Sequence, residues 1–124
     1  MAVMNKNVFP FFEMQKVVVG ASETGVAKVT ELFTLPYGAE ITYVSVAVTT
    51  AFVASTTIDL GLTSSANAFM NDQSLATAGV FAVDTAKSLI KPENVTVTFN
   101  QVSATGEAVV RIGYFLPSTE PRDY

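Results

Sequence analysis

The chain has no cysteine and no histidine, and these two gaps exclude most of the usual site chemistry. Without Cys there are no disulfides, no thiolate metal ligands and no thiol nucleophile. Without His the commonest general base, the usual zinc ligand and the switch that titrates near neutrality are all missing. Trp is absent too. Charge is scarce: only 15% of residues are Asp, Glu, Lys or Arg, against about 25% in ordinary soluble domains, so Thr, Ser, Asn and Gln must cover the surface. The 11 acidic and 7 basic residues are scattered. No basic cluster is available to neutralise phosphates, which argues against nucleic-acid binding.

Long apolar runs are also missing. Although 49% of residues are hydrophobic, none of the runs approaches the roughly 18 to 20 residues of a spanning helix, because Thr, Ser and Gly interrupt them. No membrane partner is expected. Residues Met1 to Asn7 lack the basic start and apolar core of a secretory signal. At 124 residues, one domain with one continuous core is the default.

What is present is alternation with a period of two, in Val-, Ile-, Thr- and Phe-rich runs punctuated by Gly, Pro and Asn. Glu13 to Gly20 ends in Val17-Val18-Val19, and Gly20 to Gly25 makes the turn to the next run. Val26 to Leu35 places Val29, Phe33 and Leu35 on one face and Lys28, Thr30 and Thr34 on the other. In Ile41 to Phe52, Val44, Val46 and Val48 point one way, and in Thr56 to Leu62 so do Ile58, Leu60 and Leu62. Ser65 can cap a short helical turn through Ala66 to Met70, the one helix expected. Gly79 to Val83 reads as a short strand or a wrapped loop, and Ala86 to Ile90 is similarly ambiguous. Val95, Val97 and Phe99, a turn at Ala104-Thr105-Gly106, and a return through Ala108, Val110, Ile112 and Tyr114 predict a closing hairpin. The fold class that follows is all-β: an antiparallel β-sandwich, jelly-roll-like, with at most one short helix. It divides into residues 1–12 as an N-terminal arm or edge strand, 13–116 as the sandwich, and 117–124 as an extended C-terminal tail.

No catalytic, cofactor or metal residue is assigned, and the chain is read as a non-enzyme. Asp59, Asp72 and Asp84 fall in different elements and form no calcium-loop spacing. Gly61, Gly79 and Gly113 are isolated, so they mark bends or bulges rather than a phosphate cradle. Asn94-Val95-Thr96 matches a glycosylation sequon by chance. The candidate interface lies at the ends. Val8, Phe9, Pro10, Phe11 and Phe12 form an aromatic cluster that either packs on its own sandwich, with Pro10 confining it to an edge, or docks on a neighbouring subunit. Pro117, Pro121 and Tyr124 sit in a tail that leaves the sheet, either disordered or ordered against a partner.

Thr56-Thr57-Ile58-Asp59-Leu60-Gly61-Leu62, then Ala66-Asn67-Ala68-Phe69-Met70 and Leu75-Ala76-Thr77-Ala78-Gly79, resembles a recurring element of small virion proteins of tailed bacteriophages. The resemblance implies a compact β-rich head or tail protein, and specifically a decoration or cement protein bound between capsid subunits. It also implies a major capsid protein or other virion protein as partner, a homo-oligomer for which a trimer is the guess, and a place in the virion after assembly in the host cytoplasm. A second reading is a receptor- or carbohydrate-binding sandwich of a phage tail, for which Tyr37 and Tyr43 would be the platform residues.

Overall fold

A computed structural model describes residues 11–116. They form β1 (Phe11–Val19), α1 (Gly20–Glu23), β2 (Lys28–Leu35), β3 (Glu40–Thr50), β4 (Thr57–Leu62), β5 (Ser65–Ser74), β6 (Gly79–Ser88), β7 (Glu93–Phe99) and β8 (Glu107–Phe115). The strands build two four-stranded sheets, ordered β1-β8-β3-β6 and β2-β7-β4-β5, with every neighbouring pair antiparallel. The pairs β1·β8, β2·β7, β3·β6 and β4·β5 are nested. The chain is therefore one long hairpin, with the β4–β5 turn at its tip, rolled up so that β3·β8 and β4·β7 close the two sheets. This is the eight-stranded jelly roll.

The alternating runs supply the core. Val44, Val46 and Val48 of β3 and Val110 and Ile112 of β8 face Ile58, Leu60 and Leu62 of β4 and Val95, Val97 and Phe99 of β7, all buried. These are the faces the period-two pattern predicts.

Three sequence expectations are corrected. First, Ala66 to Met70 is not a helical turn but part of β5. Its alternation is lost because β4 and β5 slip register twice, between Ile58 and Leu60 and between Leu60 and Leu62, leaving extra residues on β5. The four-residue helix lies instead at Gly20–Glu23, where a turn was expected. Second, β7 and β8 are not a hairpin: β7 pairs with β2 and β4, while β8 pairs with β1 and β3. Residues 100–106 carry the chain from one sheet to the other, a step of about 10 Å. Third, Val29 does not share a face with Phe33 and Leu35. A bulge between Glu31 and Phe33 inverts the parity of β2, and Val29 is 56% exposed on the outer face. Gly113, by contrast, does lie beside a bulge: Ile41 pairs with Tyr114 and Tyr43 with Gly113, which leaves Thr42 as an extra residue on β3. Glycine is required there because a Cβ would strike the Tyr43 ring and come within 2.9 Å of Phe11 Cζ.

Candidate interaction surfaces

The register of β1 on β8 fixes the points from which the two terminal segments depart. Phe11 pairs with Phe115 and Phe12 with Tyr114, so the segments before Phe11 and after Leu116 attach side by side at one end of one sheet. Phe11 and Phe115 meet edge-on with ring centroids 5.0 Å apart. Phe12 stacks on Tyr114 at 5.3 Å. Phe11 and Phe12 keep 49% and 39% of their surface exposed, an apolar presence that solvent does not favour. Of the other sequence-predicted interface residues, Val8, Phe9, Pro10, Pro117, Pro121 and Tyr124 lie outside the described residues.

The outer face of the β1-β8-β3-β6 sheet carries two further features. The Tyr43 hydroxyl donates to Glu13 across the glycine backbone, and Arg111 Nε donates to Gln15 Oε1 at 3.1 Å. Partial burial, then the hydrogen bond and charge of Glu13, raise the Tyr43 phenol from 10.0 to about 12, although Arg111 opposes this. Tyr43 is thus committed to a structural contact. Beside this polar network, Val17, Val109, Ala47 and Val80 form one register row across all four strands. Val17 is exposed, and Val80, on the outermost strand, is 71% exposed.

At the end opposite the termini, four connections are tied together. Gly20 N donates to Gly106 O at 2.9 Å. Ser103, fully buried, accepts from Val53 N at 2.9 Å and donates to Thr105 O at 2.6 Å through its hydroxyl. Its own N–H donates to Thr24 Oγ1 at 2.7 Å. Phe52 N donates to Leu75 O, and the Asn100 and Gln101 side chains donate to Ser55 O and Ala54 O. Within residues 20–27, 51–56, 75–78 and 100–106, Glu23 is the sole charged residue, while Val26, Val53 and Val102 are exposed at the tips. This surface was missed in the sequence because no motif marks it. The signal that could have found it is the near absence of charge from all four connections.

A cleft of about 410 Å3 at the terminal end is lined by Thr34, Thr63, Ser64, Lys91, Pro92, Glu93 and Asn94. Glu93 is the one buried carboxylate here. Its Oε1 accepts from Ser64 Oγ at 2.6 Å and from Ser64 N at 3.1 Å. The bond from the Ser64 hydroxyl outweighs partial burial and holds the carboxyl below its usual range. The pair works as a tie that fastens the β4–β5 turn to the start of β7. Asp59 does similar duty by accepting from Asp72 N at 2.7 Å. Among the described residues, no group of three or more His, Cys, Asp or Glu side chains is placed to hold a metal ion.

No family model and no curated protein sequence matches this chain. Solved structures do match it. One is a chain of the acid-stable capsid of Helicobacter pylori bacteriophage KHP30, at TM-score 0.76 and 23% identity, covering 95% of this chain and 98% of that one. A chain of the cyanophage Pam1 capsid asymmetric unit matches at TM-score 0.70 and 17% identity over 94% of this chain and 91% of the other. A chain in the capsid of Ralstonia phage GP4 matches at 0.62 and 16% over 96% and 91%. The fold is one that bacteriophage capsids use. The jelly roll read from the strand order is thus matched along nearly the full length of each of these capsid chains, with sequence conserved far less than shape.

Proposed function

We propose that this chain is a non-enzymatic structural protein of a phage virion that binds between capsid subunits as a decoration or cement protein. The observation that carries the reading is end-to-end likeness of fold to chains of three phage capsid structures, covering 91–98% of those chains. The surfaces are of a kind that suits the role. They comprise an aromatic lip at the terminal end, an apolar row on an outer sheet face, and a tied end nearly free of charge, so docking strips few ions of water. The working division is an arm or edge strand at 1–12, whose Phe11 and Phe12 already pair within β1, a sandwich at 13–116 and an extended tail at 117–124. Val8, Phe9, Pro10, Phe11 and Phe12, with Pro117, Pro121 and Tyr124, grip the major capsid protein or another virion protein. A trimer fits docking at the three-fold positions of a closed shell, and assembly takes place in the host cytoplasm.

Of the two tyrosines a carbohydrate platform would use, Tyr37 is exposed and Tyr43 is held by Glu13. That leaves the tail-module reading without a paired platform. The test is biochemical. Purified particles should contain the protein in copy numbers of the order of the capsomers. Stripping it should leave closed but less heat-resistant shells that rebind added protein. Absence from purified particles, or shells that cannot close without it, would overturn the cement assignment.

A further inference from the structure

Each sheet has two edges whose unpaired backbone groups can recruit another strand, and stable proteins blunt such edges with bulges, inward charges or irregularity. Three of the four edges here are blunted. In β1, Lys16 pairs opposite the buried Val110 and so sits on the face that points into the sandwich. In β2 the bulge between Glu31 and Phe33 breaks the edge. In β5 two register slips and Asp72 at φ +55° do the same. The β6 edge is different. Gly79 to Asp84 pairs residue for residue with Val48 to Tyr43, and the β6 irregularity comes only after Asp84. Gly79-Val80-Phe81-Ala82-Val83 has no charge and no proline, and Phe81 and Val83 are only partly buried on their inner side. Such a segment is a template for strand addition.

We infer that the β6 edge receives residues 2–9 of a second copy of this chain as an added strand. The inference rests on the proposal that the N-terminal arm grips neighbours, and it names the surface gripped. Three arguments select this occupant. Residues 2–9 contain no proline, whereas Pro10, which has no N–H for a ladder, sets the limit of the pairing segment. Lys6 is the only charge within residues 2–9 and Asp84 the only charge within Gly79–Thr85, so the two segments are complementary. With Lys6 on the outer face beside Asp84, Val3 and Phe9 fall on the inner face with Phe81 and Val83.

The third argument is reach. β1, from which the segment departs, is the opposite edge of the same sheet, so a strand added to β6 lies four strand spacings away, about 19 Å. Eight extended residues span about 26–29 Å. Crossing the sheet therefore consumes about six of them, and too few remain to pair with β6 of the same molecule. A neighbouring copy meets no such limit, and a head-to-tail exchange of this kind forms a ring where its rotation closes and a filament where it does not.

Because the chain contains no cysteine, the contact can be read by disulfide trapping. Single-cysteine proteins Met4→Cys, Lys6→Cys and Val8→Cys are each mixed, before oxidation, with a tagged protein carrying Ala82→Cys or Asp84→Cys. The expected result is a covalent heterodimer from at least one pairing, with none when the tagged protein carries Val29→Cys on the β2 edge instead. Deleting residues 2–9 should lower the sedimenting mass to that of a monomer while the far-ultraviolet spectrum stays β-rich. Failure of all six pairings to cross-link, or an unchanged oligomer after the deletion, would overturn the inference. Binding to particles is scored separately. Protein that binds particles but never cross-links sinks this contact and spares the cement reading, whereas cross-linked oligomers absent from particles do the reverse.

Discussion

Replacing Ser103 with Ala removes one hydroxyl, yet the structure assigns it a large effect. That hydroxyl accepts from Val53 N at 2.9 Å and donates to Thr105 O at 2.6 Å, inside a side chain with no exposed surface. The substitution leaves one donor and one acceptor without partners. A buried unsatisfied group costs about 1–3 kcal/mol, but Val53 and Thr105 themselves reach solvent, so the sum is placed at about 1–3 kcal/mol for both together. At about 4 °C per kcal/mol for a chain of this size, the melting temperature should fall by about 4–12 °C. Urea unfolding should show a lower midpoint with an unchanged slope. Thr24 belongs to the same knot, since its Oγ1 accepts from Ser103 N and lies 2.6 Å from Gly20 O, to which it donates. The double variant Thr24→Ala with Ser103→Ala should therefore be non-additive by at least about 0.5 kcal/mol. Ser74→Ala is the contrast, because the hydroxyl of exposed Ser74 accepts only a 3.3 Å bond from Ala76 N, and it should stay within about 0.5 kcal/mol of the parent. A Ser103→Ala protein as stable as the parent, or strict additivity with Thr24→Ala, would refute the claim that this hydroxyl pins the connections.

Other perturbations test other parts of the molecule. Glu93 has its carboxyl lowered by Ser64, so its contribution is complete above the unfolded value near 4.5 and fades as pH falls through and below it. Glu93→Gln should flatten that acid limb of a stability-against-pH curve. Tyr43, raised from 10.0 to about 12, contributes stability that is complete below pH 10 and lost between pH 10 and about 12. A phenolate absorbance titration should contain one late step that vanishes in Tyr43→Phe. Gly61→Ala would drive a Cβ into the backbone of Ser65 and Ala66 on β5, so it should destabilise by more than about 2 kcal/mol and loosen amide protection in β4 and β5 first. Leu60→Ala, on a fully buried β4 position, should cost about 2–5 kcal/mol in urea unfolding without altering the oligomer.

The parts of this fold legible in the sequence are those governed by local periodicity. Val44, Val46 and Val48, or Val95, Val97 and Phe99, alternate because each strand has one buried face, and the faces could be assigned without knowing any partner. Pairing is a different matter. Asn100 to Gly106 looks like a hairpin turn locally, but β7 finds its partners in β2 and β4, from sequence positions roughly 30 to 70 residues away, and only the whole rolled hairpin makes those contacts. Bulges defeat the pattern for the same reason. The extra residue near Leu32 inverts which side Val29 faces, and the slips in β5 erase its alternation, so a strand there reads like a capped helical turn. At the candidate interface, composition marked Phe11 and Phe12 correctly as apolar and near a terminus. It could not reveal that β1 is an edge strand whose start pairs with the end of β8, which sets Phe11 beside Phe115.

That nested pairing gives the molecule two dissimilar ends, and their difference bears on how it would join neighbours. In a rolled hairpin the first and last strands pair, so any partner gripping the aromatic lip meets the attachments of both terminal segments at once. The other end is locked by Ser103, Thr24 and Gly106. With strands of nine to eleven residues in the longest sheet positions, the ends stand about 30 Å apart. A rigid end keeps its shape before contact and loses little conformational entropy on docking, whereas an apolar segment that orders on contact must offset that loss with buried area. Under the proposed linkage of two capsid subunits, this division would place orientation at the locked end and grip at the terminal end. Loosening the knot through Ser103→Ala should then weaken attachment to the particle even with residues 1–12 intact, whereas deleting residues 2–9 should leave the geometry of the knot unchanged.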